Sequence, residues 1–192
     1  MDATTATPIK GQDAMHPDGQ YSTVAKWFHW VTVPLMSLAI LTGLTLRFMK
    51  EDVKYSFYGL HESIGLILLF VAIARLSWRL LNKPPVTPNH MPANMRTAAA
   101  TVHYALYALL ILQPLLGFFM TNAYGFPQQG ATAFLGFIDL PKFMGASEGL
   151  AWVLHWMHSI GGWLLPMLLV AHIGGAIYHH ALRRDGMLLR ML

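Results

Sequence analysis

Residues 150–182 read LAWVLHWMHSIGGWLLPMLLVAHIGGAIYHHAL. At about 1.5 Å per residue this run reaches roughly 50 Å as a helix, longer than the roughly 30 Å of bilayer hydrocarbon. It therefore spans a membrane with one end projecting or the axis tilted, and Pro166 is placed to kink it. Two of its histidines, His158 and His172, lie fourteen residues apart. At about 100° per residue they come within roughly 40° of the same helix face, about 21 Å apart along the axis. That separation suits two stacked cofactors, one in each leaflet.

The rest of the chain agrees with a membrane setting. Its 192 residues are 55% hydrophobic and 11% charged, against roughly 25% charged in soluble domains. Further apolar runs cover residues 27–47, 58–78 and 97–121, giving four spans and an all-α transmembrane four-helix bundle. Residues 1–20 are polar, lack the pattern of a signal peptide, and read as a flexible tail; residues 21–192 form one membrane domain. The connections are a Pro-rich loop, Asn82-Lys83-Pro84-Pro85-Val86-Thr87-Pro88, and about thirty residues containing Gly125, Pro127, Gly130, Gly136 and Pro141. No cysteine is present, which excludes disulfides, zinc–thiolate and iron–sulfur centres, and covalent haem attachment. The net charge of +4 is spread without a basic run, so nucleic acid is not a partner.

Lys10, Lys26, Arg75, Arg79, Lys83, Arg96, Arg183, Arg184 and Arg190 collect on one side of this topology, and Arg47, Lys50, Lys54 and Lys142 on the other. By the positive-inside rule both termini are cytoplasmic. His29, in the first turn of span one, then shares the depth of His172, and His61, in the first turn of span two, that of His158. Polar groups at such depth need partners, and haem iron commonly takes a histidine on each axial side. The expected pairs are His29 with His172 and His61 with His158, holding two haem b groups noncovalently. Gly65 and Gly162, each one turn beyond a histidine, leave room for a flat ring or for close helix packing.

Other residues carry weaker signals. His155 lies about 100° off the His172 face and is the poorer ligand. His103 and His179 suit a haem propionate, a quinone, or an ordinary interhelical or interfacial hydrogen bond. Arg75 suits a propionate or an anionic lipid headgroup. His16 and His90 sit in polar segments. The twelve methionines read as packing material. No conventional catalytic residue is expected.

The chain resembles the bacterial cytochrome b561 family and the related cytochrome b subunits of nickel-iron hydrogenase and formate dehydrogenase. The resemblance rests on Tyr21-Ser22 with His29-Trp30, Leu60-His61-Glu62 with Gly65, the Arg75–Arg79 region, and His103 with Tyr107. It continues through Gln113-Pro114 with Gly117, Phe134-Leu135-Gly136 to Leu140-Pro141, His158, His172, His179-His180 and Arg184-Asp185-Gly186-Met187-Leu188. It implies a multi-pass bacterial inner-membrane protein passing electrons between two haems and a quinone, ubiquinone or menaquinone. One version is an oxidoreductase coupling superoxide oxidation to ubiquinone reduction. The alternative is an anchor subunit wiring a hydrogenase, dehydrogenase or periplasmic partner to the quinone pool.

Overall fold

A computed structural model describes residues 19–85, 91–126, 134–138 and 140–192, the side chains of Glu51 and Asp52 excepted. The expected tail up to residue 18, His16, His90, the 86–90 part of the Pro-rich loop, and Pro127 and Gly130 lie outside the described residues. Among the described residues four helices are long and apolar enough to cross a membrane: α1 (Thr23–Thr45), α2 (Glu51–Leu81), α3 (Ala93–Ala123) and α4 (Glu148–Ile177). A 3-10 turn, Leu46–Phe48, extends α1, and a π-helical segment, Tyr178–Arg183, extends α4. The fold is an all-α transmembrane four-helix bundle. With these extensions each helix outruns the apolar stretch read from the sequence, by one residue at the far ends of spans one and four and by more elsewhere, because helical hydrogen bonding continues into the polar margin, where hydropathy no longer marks it.

Pro34, Pro114 and Pro166 all lie inside helices that continue through them. Hydroxyls fold back onto their own helices: Thr32 donates to the Phe28 carbonyl, Ser63 to that of Gly59 and Thr121 to that of Gly117. Such bonds satisfy polar side chains where hydrocarbon offers no partner. Met36, Leu68, Ala72, Leu106, Leu110 and Leu165 form the apolar centre of the bundle. Large residues such as Trp27, Leu41, Phe70 and Val170 stand exposed on its outside, as lipid-facing surface does.

Adjacent helices run antiparallel, α1 against α2, α2 against α3 and α3 against α4, while α1 and α4 barely touch. One end of the bundle, the terminal end, gathers the start of α1 and the end of the chain. The Tyr21 N–H donates to the Arg190 carbonyl (3.0 Å), Trp30 Nε1 to that of Met191 (3.0 Å), and Arg190 Nε to that of Gly19 (2.7 Å). Trp78 Nε1 reaches Ser22 Oγ from α2, and the Arg183 guanidinium reaches Met95 Sδ on α3. At the opposite, loop end, Asn122 is almost wholly buried; it donates to the Phe118 carbonyl and accepts from the Phe143 N–H (2.8 Å). This ties the α3–α4 connection to the bundle.

Candidate functional site: two tiers of histidine

The fourteen-residue spacing of α4 recurs in every helix: His29 and Gly43 on α1, His61 and Arg75 on α2, His103 and Gly117 on α3, His158 and His172 on α4. Each pair occupies nearly one face, about 21 Å apart. The bundle thereby acquires two tiers, Gly43, His61, Gly117 and His158 toward the loop end, and His29, Arg75, His103 and His172 toward the terminal end.

In the loop-end tier the ring centres of His61 and His158 are 6.1 Å apart. Thr42 Oγ1 lies 2.7 Å from the Leu38 carbonyl and 3.0 Å from His61 Nδ1. A hydroxyl that close to a carbonyl spends its proton there, so the ring donates from Nδ1 and keeps its lone pair at Nε2. His158 Nδ1 donates to the Gln113 carbonyl (3.0 Å), which only accepts, and reaches the same tautomer. Both rings lie close over glycines of neighbouring helices. A Cβ at Gly43 would fall 2.8 Å from His61 Cε1, and one at Gly117 3.1 Å from His158 Cε1.

The Gln113 side chain completes this tier. Only 8% exposed, it places its amide nitrogen 3.0 Å from both the His158 carbonyl and His158 Nδ1, donating to the carbonyl because Nδ1 spends its own proton on the Gln113 backbone, and accepts from the Gly162 N–H (3.2 Å). It fits because Gly161 has no side chain; a Cβ there would collide with the amide, 2.8 Å from Cδ. A glutamine buried in a membrane bundle is stable only with its amide bonded on both sides.

The terminal-end tier is built differently. The ring centres of His29 and His172 are 6.2 Å apart, and His103 stands 5.1 Å from His172. Arg75 Nη2 donates to His29 Nδ1 (3.0 Å). A guanidinium cannot accept, so here the lone pair is at Nδ1, the reverse of His61 and His158. Arg75 and Arg79 both lie over the Tyr107 ring, at 5.2 and 5.5 Å.

The remaining candidates stand apart. His179 is occupied by Asp185: its Nδ1 is 2.6 Å from Oδ2, with Arg183 Nε at 3.2 Å from the same oxygen. The Met187 N–H also bonds Asp185, and Arg184 turns the chain with φ 52°. Burial alone would push the Asp185 carboxyl up, but the bonds from His179, the Met187 N–H and Arg183 hold it below its ordinary value. His155 is exposed beside Trp156. Gly162 faces open space and Gly65 only approaches Pro114; the glycines that admit imidazoles are Gly43 and Gly117. Thr42 and Gly43 carry no signal of their own in the sequence, and Gln113 enters it only within the Gln113-Pro114 motif, without a role. The signal that finds the glycines is the same fourteen-residue step, counted from His29 and His103.

Both centre-to-centre distances suit one bridging metal ion. Metal–imidazole bonds of about 2 Å on each side, plus about 1 Å from each nitrogen to its ring centre, sum to about 6 Å. Among the described residues no cluster of three or more His, Cys, Asp or Glu side chains has the form of a metal-ion site.

The family model for prokaryotic cytochrome b561 matches residues 20–192. The chain is 30% identical to cytochrome b561 homolog 2 of Escherichia coli (strain K12), covering 90% of this chain and 91% of that protein. It is 25% identical to cytochrome b561 homolog 1 of the same organism, over 90% and 97% of the two chains. A protein of Yersinia pestis named "Probable superoxide oxidase CybB" is 25% identical over 90% and 96%.

Proposed function

The chain belongs to the prokaryotic cytochrome b561 family, and on that premise we propose that it carries electrons singly between a redox partner at the outer face and the quinone pool. It is a multi-pass protein of the bacterial inner membrane with a part in electron transport, and haem b binding follows from its family. Haem b, when bound, supplies a one-electron iron couple.

We assign His61 and His158 as the axial pair of an outer haem, and His29 and His172 as that of an inner one. The carrying observation is the loop-end tier. Both of its imidazoles have committed Nδ1–H to oxygen acceptors, keep their lone pairs at Nε2, and stand at the spacing one axially bound metal requires. Lys26, Arg75, Arg79, Lys83, Arg96, Arg183, Arg184 and Arg190 all belong to the terminal end, which supports a cytoplasmic position for it. At that end Arg75 is the residue for a haem propionate, beside His103. His179 is held by Asp185.

The test is haem content in purified protein after replacing His158 and His172 singly with Ala. Two haems per chain falling to one in each variant is the expected result; loss of neither removes the reading.

The name of the Yersinia pestis relative supports superoxide as the outer electron donor, and ubiquinone is the acceptor we propose with it. Arg47, Lys50 and Lys142, exposed at the loop end, supply the positive field that attracts a small anion. Superoxide-driven reduction of the haem bands in isolated protein is expected. If the bands stay oxidised and a dehydrogenase or small periplasmic protein copurifies instead, the chain is an anchor subunit.

A further inference from the structure

The helices without an outer axial histidine, α1 and α3, still build the outer centre. We propose that Thr42 and Gln113 are positioning residues for that centre. Each accepts the Nδ1–H of a histidine from a neighbouring helix, and together they fix both axial rings and set the potential of the haem between them. The inference rests on the assignment of His61 and His158 as axial ligands.

The two seats share one design. On α1, Thr42 presents an oxygen to His61 Nδ1 while the adjacent Gly43 admits the ring edge. On α3, the Gln113 carbonyl presents an oxygen to His158 Nδ1, and Gly117, one turn on, admits the ring edge. An acceptor fixes the tautomer, and a glycine lets the ring approach closely enough to reach it. Gln113 adds a second hold, its side chain bonding α4 across Gly161 and Gly162 and so fixing the depth of His158. The inner tier has His29 and His103 where the outer has these glycines, and there Nδ1 of His29 meets a donor instead of an acceptor. Among the described residues no acceptor equivalent to Thr42 or the Gln113 carbonyl faces His29 Nδ1.

The sign of the effect follows. An acceptor on Nδ1–H increases electron donation from Nε2 and stabilises ferric over ferrous iron, lowering the midpoint potential. Removing the acceptor raises it. Outer-shell substitutions commonly change metal affinity by about tenfold or more; a tenfold change in ferric-to-ferrous preference is about 60 mV for one electron.

Potentiometric titration of the detergent-purified holoprotein, followed by absorption, tests this. His158→Ala identifies the outer wave by its loss. Thr42→Val keeps the side-chain size, removes the hydroxyl, and is expected to raise the outer midpoint by about 60 mV while the inner stays in place. Thr42→Ser restores most of the wild-type value. Gly43→Ala, whose Cβ would press on His61 Cε1, is expected to disturb the same wave alone. Thr42→Val losing the outer haem entirely while Thr42→Ser keeps it is a stronger form of the same effect. Wild-type titration of Thr42→Val, or equal movement of both waves, overturns the positioning role while the axial assignment stands. Retention of both haems in His158→Ala overturns the axial assignment, and this inference with it.

Discussion

Arg75 Nη2 donates to His29 Nδ1 across 3.0 Å, so the guanidinium and a metal cannot both be served by the same neutral tautomer of that ring. With Nδ1 accepting, the ring proton sits on Nε2, the atom an iron would need. Haem binding at the inner tier therefore requires Arg75 to leave His29, and the released guanidinium is free to take a carboxylate. Arg75→Leu is expected to make the inner haem dissociate about tenfold more readily on dilution, with Arg75→Lys intermediate because it keeps the charge but loses the fork. Haem loss to excess apomyoglobin measures it; equal retention in all three proteins would dismiss the role.

His103 lies closer to His172 than His29 does, so proximity alone would make it a rival ligand. Both stand at the same step of their helices, and the proposed assignment pairs His172 with His29 on α1. His103→Ala is expected to retain both haems and His29→Ala to retain one, read as haem per chain. The opposite pattern would exchange their roles.

Gln113 and Gly161 interlock. Gly161→Ala is expected to destabilise the bundle by about 1–3 kcal/mol through overpacking against the amide. Gln113→Ala alone leaves Gly162 and the His158 carbonyl without their side-chain partner and costs a similar amount. The double variant should lose less than the sum, because the clash goes with the glutamine. Thermal unfolding of the four proteins closes the cycle, and strict additivity would refute the contact.

The Asp185 carboxyl is held below its ordinary value in the folded chain. A depressed folded pKa adds stability that is full above the unfolded value, about 3.9, and lost as pH falls through the folded one. The turn joining His179, Arg183 and Met187 should therefore open in acid below about pH 4 and hold at neutral pH. Amide exchange at Asp185 and Met187 reads it. Asp185→Asn should flatten this acid dependence; an unchanged profile would remove the carboxylate from the account.

Much of the membrane architecture was legible from residues alone. Hydrocarbon has a fixed thickness and punishes charge, so apolar run length located all four spans. The far end of span four was legible, the run to residue 182 meeting the helical end at Arg183, but most other ends were not, since backbone bonding extends past the apolar stretch: α2 begins at Glu51 and α3 at Ala93. The position of His158 relative to His172 was also readable, because helix periodicity is local. Topology then brought His61 to the depth of His158, and His29 to that of His172.

Tertiary structure decided what those histidines touch. Thr42 looks like an ordinary span residue and Gly43 like a packing glycine, and Gln113 and Gly117 stand out only as part of a motif with no assigned role, until α1 lies against α2 and α3 against α4. Their meaning comes from partners 19 and 45 residues away in sequence, at His61 and His158. The opposite tautomer at His29 likewise depends on Arg75 arriving from another helix. Periodicity along one helix fixes depth and face because both follow from the backbone repeat. Proton placement and ring seating are set between helices, where only the packed bundle specifies which donor meets which acceptor.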